Sequence, residues 1–231
     1  MNFKDWEAIY KQILKDFNFL EEKDIECAKI LDEFLKIRNK IEISSLRHFI
    51  ENKEVVVFGS GPSLKDSICK NMDLYMNKIL ISADGATSAL IENCILPDII
   101  TTDLDGKISD QIDSNNNGSL LVIHAHGDNI ENIKNNFYQF KEKIIGTTQT
   151  DPSRFENLYN FGGFTDGDRA VFLANHFNAK MIYLIGFDFD GEIGEYSFPD
   201  KKDIAQKIKK LEWAKKLIER LNRDKQNIVF L

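Results

Sequence analysis

Short runs of apolar and β-branched residues recur through most of the chain and alternate with segments of helical periodicity. The apolar runs lie at residues 55–58, 79–81, 99–101, 120–123, 143–145 and 181–185, with a further candidate strand at 228–231. Helical patterns occupy residues 65–76, 87–93, 130–140, 168–177 and 204–222. Continuous apolar runs are typical of parallel strands buried on both faces. The alternation therefore predicts an α/β fold, with a Rossmann-like, mainly parallel sheet flanked by helices.

The first fifty residues have a different pattern. Apolar residues recur at three- and four-residue steps over residues 6–17 and again over 25–35, and no proline or glycine interrupts residues 1–50. We predict an N-terminal helical lobe over residues 1–52 and a catalytic α/β domain with a helical C-terminus over 53–231. The apolar helices of the lobe are candidates for a homo-oligomer interface.

Acidic residues follow two of the predicted strands. Asp84 comes directly after one strand, and Asp103 and Asp105 come after the next. In extended backbone the last two side chains share a face, and two such carboxylates repel each other unless a cation lies between them. Mg²⁺ prefers oxygen ligands of this kind. We predict that Asp84, Asp103 and Asp105 bind Mg²⁺, although a single Asp-x-Asp also occurs in Asx-rich turns.

A loop rich in small residues follows the first predicted strand and precedes a helix. Its residues are Gly59, Ser60, Gly61, Pro62 and Ser63. Glycines let the backbone approach a phosphate, and a helix N-terminus offers unpaired N–H groups. Because the loop matches neither the full dinucleotide fingerprint nor a Walker motif, a tight structural turn is the alternative. We predict that this loop, together with Gly85 after the second strand, contacts the nucleotide.

The strand at residues 120–123 leads into the sequence HAHGDN. His124 and His126 alternate, so a transition-metal site is conceivable, but no third soft ligand accompanies them. We predict instead that His126, Asp128 and Asn129 contact the nucleotide or the second substrate.

Two later segments carry further charged residues. Asp166, Asp168 and Arg169 begin a predicted helix after a glycine-rich loop, where an acidic cap is ordinary but the added arginine suits a phosphate. We predict cofactor contacts for both aspartates and a catalytic role for Arg169. The strand at residues 181–185 precedes a second alternating pair, Asp188 and Asp190. By contrast, residues 110–119 are rich in Asn and Ser, which predicts a surface loop.

Composition narrows the classes of partner. The 231 residues carry a net charge of -7, which argues against a nucleic-acid partner, although metal ions can supply the positive charge that a nucleotide requires. Cys27, Cys69 and Cys94 form no CxxC pair, so we expect free thiols in a reducing compartment. Residues 1–19 contain charges throughout, and no apolar run reaches the roughly 20 residues of a membrane span. We expect a cytoplasmic protein without a membrane partner.

Six motifs complete the pattern, in the order GSGPSL, ADGA, PDIITTDLDG, HAHGDN, GGFTDGDRA and GFDFDG. In this order the chain resembles the archaeal 6-hydroxymethyl-7,8-dihydropterin pyrophosphokinases, a family related in fold to the thiamin pyrophosphokinases. The thiamin enzymes have an ADGGAN-like turn and a GDFDS-like loop whose aspartates hold Mg²⁺ and nucleotide phosphates. Two departures separate this chain from them: its acidic loop reads TDLDG, and its C-terminus is helical where they have a β-sandwich that helps to bind thiamin.

The resemblance implies transfer of a diphosphate from ATP to the hydroxymethyl group of the pterin, with release of AMP, in tetrahydromethanopterin or folate-type biosynthesis. On this hypothesis Asp103 and Asp105 are catalytic through the metal, and Arg169 offsets the charge that develops during transfer. Two alternatives stay open. A metal-dependent nucleotide-sugar transferase also uses Asp-x-Asp motifs, and a non-catalytic nucleotide-binding protein would bind ATP and Mg²⁺ without turnover.

Overall fold

The computed structural model describes residues 3–38, 41–75, 77–141, 143–189, 193–197 and 204–231. Asp190 and the predicted end of a helix at Met76 lie outside these ranges. The α-helices are α1 Phe3–Phe17, α2 Glu21–Leu35, α3 Ile43–Ile50, α4 Leu64–Lys70, α5 Met72–Tyr75, α6 Ala86–Glu92, α7 Ile108–Asn116, α8 Ile130–Asn136, α9 Asp166–His176 and α10 Ile204–Lys225. The strands are β1 Glu54–Phe58, β2 Ile79–Ala83, β3 Ile99–Thr102, β4 Leu120–Ala125, β5 Ile144–Thr148, β6 Leu158–Tyr159, β7 Met181–Ile185 and β8 Ile228–Phe230.

Within the described residues the eight strands form one sheet in the order β6-β5-β4-β3-β2-β1-β7-β8. Every neighbouring pair is parallel. The chain moves outward from β1 to β6 and then returns to place β7 on the other side of β1. Such a reversal creates a crevice at the carboxyl ends of the strands, where ligands of these sheets bind. The predicted α/β class with a parallel sheet is confirmed.

Alternate strand residues pack on opposite faces of the sheet. Val55 and Val57 of β1 belong to one hydrophobic cluster, with α1, α3, α9 and α10, whereas Val56 and Phe58 belong to another, with α4 and α6. A third cluster lies beneath α2 and α8 and includes alternate residues of β4. Because both faces are covered, the strands need apolar side chains at consecutive positions, which explains the continuous apolar runs in the sequence.

The N-terminal helices divide between the two faces. Helix α1 packs in the cluster that contains Ile99 and Val122, whereas α2 packs in the cluster that contains Ile100 and Leu121. The connector between them, residues 18–20, therefore passes over an edge of the sheet, and it lines the cavity at the carboxyl ends of the strands. The predicted division into an N-terminal lobe and a catalytic domain stays a prediction, as does a homo-oligomer interface on these helices.

The predicted surface loop at residues 110–119 is wrong, because α7 spans Ile108–Asn116. Two of its polar side chains donate hydrogen bonds to backbone carbonyls: Asn115 Nδ2 donates to Ser119 O at 2.9 Å, and Ser114 Oγ donates to Asp110 O at 2.7 Å. Gln111, Ser114 and Asn115 are buried. Asn- and Ser-rich composition favours a loop only where these groups lack such partners.

The described residues also bear on the expectations for the cysteines and for membrane spans. Cys27, Cys69 and Cys94 are all free thiols, as predicted. Among the described helices, none combines the length and the apolar character that crossing a bilayer would require.

Candidate active site

Loops that follow strands β1 to β7 meet at the carboxyl edge of the sheet and enclose a cavity of about 310 Å³. Ten of the predicted site residues line it: Gly59, Ser60, Gly61, Asp84, Asp103, Asp105, His126, Asp128, Asp166 and Arg169. Five others do not appear in its lining: Pro62, Ser63, Gly85, Asn129 and Asp168. The structure thus brings together most of the predicted residues from separate segments.

The three predicted metal ligands form a single cluster. One carboxylate oxygen from each of Asp84, Asp103 and Asp105 lies within 4.8 Å of the other two. Asp84 follows β2 and the other two follow β3, and these strands are adjacent. Neighbouring parallel strands lie roughly 4.8 Å apart, so side chains that leave their ends meet without a long loop.

Local backbone conformation directs these side chains inward. Asp84 has φ of +40° and Leu104 has φ of +66°, both in the left-handed region that non-glycine residues rarely adopt. The hydroxyl of Thr102 links the two loops, because it accepts from the N–H of Leu104 and donates to Asp84 Oδ1, each at 2.8 Å. Gln111 Nε2 donates to the same Asp84 oxygen at 2.8 Å. Two neutral donors therefore hold one Asp84 oxygen, and the sequence analysis identified neither.

Gly106 closes the TDLDG loop for a steric reason. A Cβ atom at this position would lie 2.5 Å from Asp84 Oδ2. Any other residue would displace the Asp84 carboxylate from the cluster, so the small residue at this point is part of the site's geometry.

His126 orients Asp103. Its Nε2 lies 2.9 Å from Asp103 Oδ2, and its Nδ1 accepts from the N–H of Asp128 at 3.3 Å. Because Nδ1 is the acceptor, the ring proton is on Nε2 and is donated to the carboxylate. Asn129 fixes the same loop, since its Nδ2 donates to Asp103 O at 2.8 Å and its Oδ1 accepts from His126 N–H at 3.0 Å. Asn129 therefore supports the cluster from within the protein.

The three carboxyl groups of the cluster have pKa values shifted in different directions. Burial raises the pKa of Asp84, and the charge of Asp103 raises it further. Enclosure in the cavity and the charges of Asp103 and Asp84 raise the pKa of Asp105 to about 10. Burial alone would also raise the pKa of Asp103, but the hydrogen bond donated by His126, together with the positive charge of Arg169, outweighs it and keeps that pKa below its usual range. One carboxylate thus stays charged while its neighbours resist ionisation.

These carboxylates fit a divalent cation. Oxygen ligands on adjacent strand ends can share one ion, and a cation would replace the protons that the raised pKa values of Asp84 and Asp105 retain. Asp103 is oriented by a histidine that donates its ring proton, the arrangement that commonly supports a metal-binding side chain. Mg²⁺ is typically bound by one or two carboxylates, with phosphate oxygens and waters completing its shell.

Helix α9 contributes a pair of charged residues, Asp166 and Arg169, to the cavity lining. Asp168 caps this helix, where its carboxylate accepts from the N–H of Phe164 at 2.6 Å and of Thr165 at 2.7 Å. Arg169 Nη1 donates to Asp166 Oδ1 at 3.2 Å. Burial, with the charge of Asp103, raises the pKa of Asp166 well above its usual value. The structure therefore places Asp166 and Arg169 at the cavity and gives Asp168 a capping role.

The glycine loop has its own internal partners. The N–H of Gly59 donates to Ile185 O at 2.8 Å, and that of Gly61 donates to Gly186 O at 2.9 Å. Ser63 donates its N–H at 2.9 Å and its hydroxyl at 2.8 Å to Asp188 Oδ2. These amide groups are therefore already hydrogen-bonded within the protein. The sequence analysis had expected them to be free to donate to a phosphate.

Three lysines line the cavity that sequence analysis did not single out: Lys23, Lys207 and Lys210. The last two lie three residues apart on α10 and so share a face of that helix. Since α10 carries six lysines between Ile204 and Lys225, spacing alone gives no signal that selects these two.

Comparison with known proteins now adds a second line of evidence. The family model described as "6-hydroxymethylpterin diphosphokinase MptE-like" matches residues 28–193. Three archaeal proteins named "6-hydroxymethyl-7,8-dihydropterin pyrophosphokinase" are similar over nearly their whole length. The protein from Methanocaldococcus jannaschii is 46% identical and covers 100% of both chains. That from Methanothermobacter thermautotrophicus is 42% identical over 97% of both, and that from Pyrococcus furiosus is 40% identical over 95% of this chain and 94% of its own.

Among solved structures, the MAf glycosyltransferase from Magnetospirillum magneticum covers 60% of this chain and 23% of its own. It is 19% identical, with a TM-score of 0.35. This likeness is too low to bear on function.

Proposed function

Because this chain belongs to the 6-hydroxymethylpterin diphosphokinase MptE-like family, we propose that it transfers the diphosphate of ATP to 6-hydroxymethyl-7,8-dihydropterin with the aid of Mg²⁺. The products are the pterin diphosphate and AMP, and the reaction serves tetrahydromethanopterin or folate-type biosynthesis. The observation that carries the metal and nucleotide parts of this proposal is the cluster of Asp84, Asp103 and Asp105, whose oxygens lie within 4.8 Å of one another.

The reaction requires little covalent chemistry from the protein itself. The hydroxymethyl oxygen attacks the β-phosphorus of ATP, the bond between the β-phosphorus and the bridging oxygen to the α-phosphorus breaks, and AMP leaves with that oxygen. Catalysis of such a transfer consists mainly of alignment and charge neutralisation. When bound, Mg²⁺ would draw charge from the phosphate oxygens, and the three aspartates are the residues that would hold it.

The chain's own residues support the same arrangement. His126 fixes the orientation of Asp103, and Thr102 and Gln111 fix that of Asp84. Arg169 is buried at the cavity and supplies a permanent positive charge beside the cluster. Asp166, whose pKa is raised well above its usual value, is paired with that arginine.

A direct assay tests the proposal. The purified protein is incubated with ATP, Mg²⁺ and 6-hydroxymethyl-7,8-dihydropterin, and AMP and the pterin diphosphate are quantified by chromatography. We expect equimolar formation of both, with loss of activity in EDTA that excess Mg²⁺ reverses. Thiamin serves as the control acceptor, and we expect no diphosphate transfer to it.

Two results would contradict the proposal. Release of inorganic phosphate or ADP without AMP would show a different bond cleavage, and an absence of turnover together with tight binding of Mg²⁺ and ATP would favour a nucleotide-binding protein.

A further inference from the structure

Strand order fixes the sequence of loops along the cavity. Gln149 follows β5, His126 and Asp128 follow β4, the metal cluster follows β3 and β2, and the Gly59 and Gly186 loops follow β1 and β7. Five strand spacings separate the ends of this row, or roughly 24 Å at about 4.8 Å each. The acidic cluster thus lies between the two ends of this row of loops, so that two substrates can approach it from opposite ends.

The end at β1 and β7 suits the nucleotide. It lies at the point where the strand order reverses, which is the usual nucleotide position in such sheets. Lys207 donates to Ser197 O at 2.8 Å, and Ser197 Oγ donates to Ser60 O at 3.2 Å, which places this lysine beside the glycine loop. Lys210, one turn further along the helix, lies close enough for its charge to act on Asp166. The two lysines thus mark a path from this end to the cluster, as a polyphosphate requires.

The end at β4 and β5 is closed by the N-terminal helices. The connector at residues 18–20 lines the cavity, and the first turn of α2 docks against the loop after β4. There Asp24 Oδ1 accepts from the N–H of Gly127 at 2.7 Å, and Asp24 Oδ2 accepts from Gln149 Nε2 at 2.8 Å. A Cβ atom on Gly127 would lie 2.7 Å from Lys23 Cβ, so the two segments are in close contact.

Charge distinguishes the two ends. Outside the central cluster, the charged lining residues at the β1–β7 end and on α10 are Lys207, Lys210 and Asp188. Those at the β4–β5 end are Lys23, Asp24 and Asp128. An excess of aspartate disfavours a polyphosphate and suits a neutral acceptor that carries N–H donors. The aminopyrimidinone ring of a pterin carries such donors on its 2-amino group and the adjacent ring nitrogen.

Asp128 is the group best placed to receive them. Its side chain is exposed and lines the cavity, and within the described part of the chain no hydrogen bond to its carboxylate is present. Asp24, by contrast, already accepts three hydrogen bonds, from Tyr10, Gln149 and Gly127, and is almost completely buried. Both oxygens of Asp128 are therefore available for a paired contact with two neighbouring N–H groups.

From these observations, and resting on the proposed function, we infer that the pterin binds at the β4–β5 end beneath the connector at residues 18–20, with Asp128 accepting hydrogen bonds from its 2-amino and ring N–H groups. The nucleotide binds at the β1–β7 end, with Lys207 and Lys210 along its phosphates. The N-terminal helices thereby form part of the acceptor site, in addition to covering the sheet.

Substrate-specific kinetics test this assignment. We expect Asp128→Asn to raise the KM for the pterin by at least about tenfold, as expected for loss of a hydrogen bond to a charged group, and to leave the KM for ATP within about twofold. We expect Lys207→Gln to do the reverse. Asp113→Asn and Lys215→Gln are matched controls, because both side chains are exposed and neither lines the cavity.

Titration of 6-hydroxymethylpterin, followed by its own fluorescence, measures acceptor binding without turnover. Weaker binding to Asp128→Asn, with binding to Lys207→Gln unchanged, would support the assignment. If Asp128→Asn instead raises the KM for ATP, the two ends are reversed, and if neither KM changes, Asp128 does not contact the acceptor. The KM values can be measured only on an active wild-type protein, so these results are distinguishable from failure of the proposed function, in which the wild type forms no AMP.

Discussion

Two loops of similar sequence leave the sheet in this protein and acquire different roles. The loop after β3 reads TDLDG and the loop after β7 reads GFDFDG. In the first, Asp103 and Asp105 gather with Asp84 in the cluster that we propose to bind Mg²⁺. In the second, Asp188 accepts two hydrogen bonds from Ser63 and so ties the glycine loop to β7.

The difference comes from the neighbouring strand. Strand β2 lies beside β3 and is followed by another aspartate, Asp84. Strand β1 lies beside β7 and is followed by glycines and serines that donate hydrogen bonds. A carboxylate near other carboxylates favours a cation, and a carboxylate near N–H and O–H donors is satisfied within the protein. The same local motif therefore supplies the proposed metal ligands in one place and ties two loops together in the other.

The largest expected effect is at the first loop. Asp103→Asn removes a ligand oxygen and the charge that His126 orients, so we expect kcat/KM to fall by roughly 10³-fold through loss of several kcal/mol of metal-based stabilisation. Isothermal titration with Mg²⁺ and ATP should show weakened binding, while circular dichroism remains that of the wild type. Turnover near the wild-type rate would remove Asp103 from the metal site.

Asp188→Ala tests the second loop. The change leaves two donors of Ser63 without their acceptor, so we expect the free energy of unfolding to fall by about 1–3 kcal/mol, as measured by urea denaturation. Affinity for Mg²⁺ should stay within about twofold of the wild type. A loss of metal affinity comparable to that of Asp103→Asn would show that both loops bind the ion and would abolish the contrast.

Asp105→Asn should raise the free energy of unfolding, whereas Asp188→Ala should lower it. A carboxyl group whose pKa is higher in the folded protein favours folding while protonated, and this contribution is lost as pH rises from about 4 toward 10. Because asparagine stays neutral, we expect the metal-free variant to match the wild type near pH 4. The Asp105 side chain is exposed, so solvent screens its repulsion from the other carboxylates, and near pH 8 the variant should exceed the free energy of unfolding of the wild type by only roughly 0.5–2 kcal/mol.

Thermal unfolding with and without Mg²⁺ measures this prediction. Added Mg²⁺ should stabilise the wild type and have little effect on Asp105→Asn, since the ion replaces the proton that the aspartate otherwise keeps. A variant less stable than the wild type at pH 8 without metal would indicate that Asp105 is satisfied by the protein alone.

Much of the fold followed from the sequence because parallel strands buried on both faces require consecutive apolar residues. Seven of the eight strands were predicted within a few residues, but the two-residue strand Leu158–Tyr159 has too little pattern to detect. Helix α7 was missed for a different reason. The hydrogen bonds that satisfy its Asn and Ser side chains partly come from distant segments, such as the contact of Asn115 Nδ2 with Lys143 O at 3.3 Å.

The candidate site was predictable where a motif lay directly at a strand end. Asp84, Asp103 and Asp105 were identified in this way, because the carboxyl ends of adjacent parallel strands meet. Gln111 and Lys210 carried no such signal, since they lie on helices whose faces toward the cavity are set by packing. The ligand contacts expected of Asn129 and Asp168 stay predictions: neither residue lines the cavity, and the same side chains hold the β4 loop and cap α9.

By itself, the sequence determined the α/β class, the family and the strand-end aspartates, since each depends on residues close together in the chain. Only the tertiary structure decided which aspartates face one another, which of them the protein satisfies internally, and that the N-terminal helices close one end of the cavity. The physical reason is that a carboxylate's role depends on the charges and donors within a few ångströms, and strand order and helix docking bring those groups from distant parts of the chain.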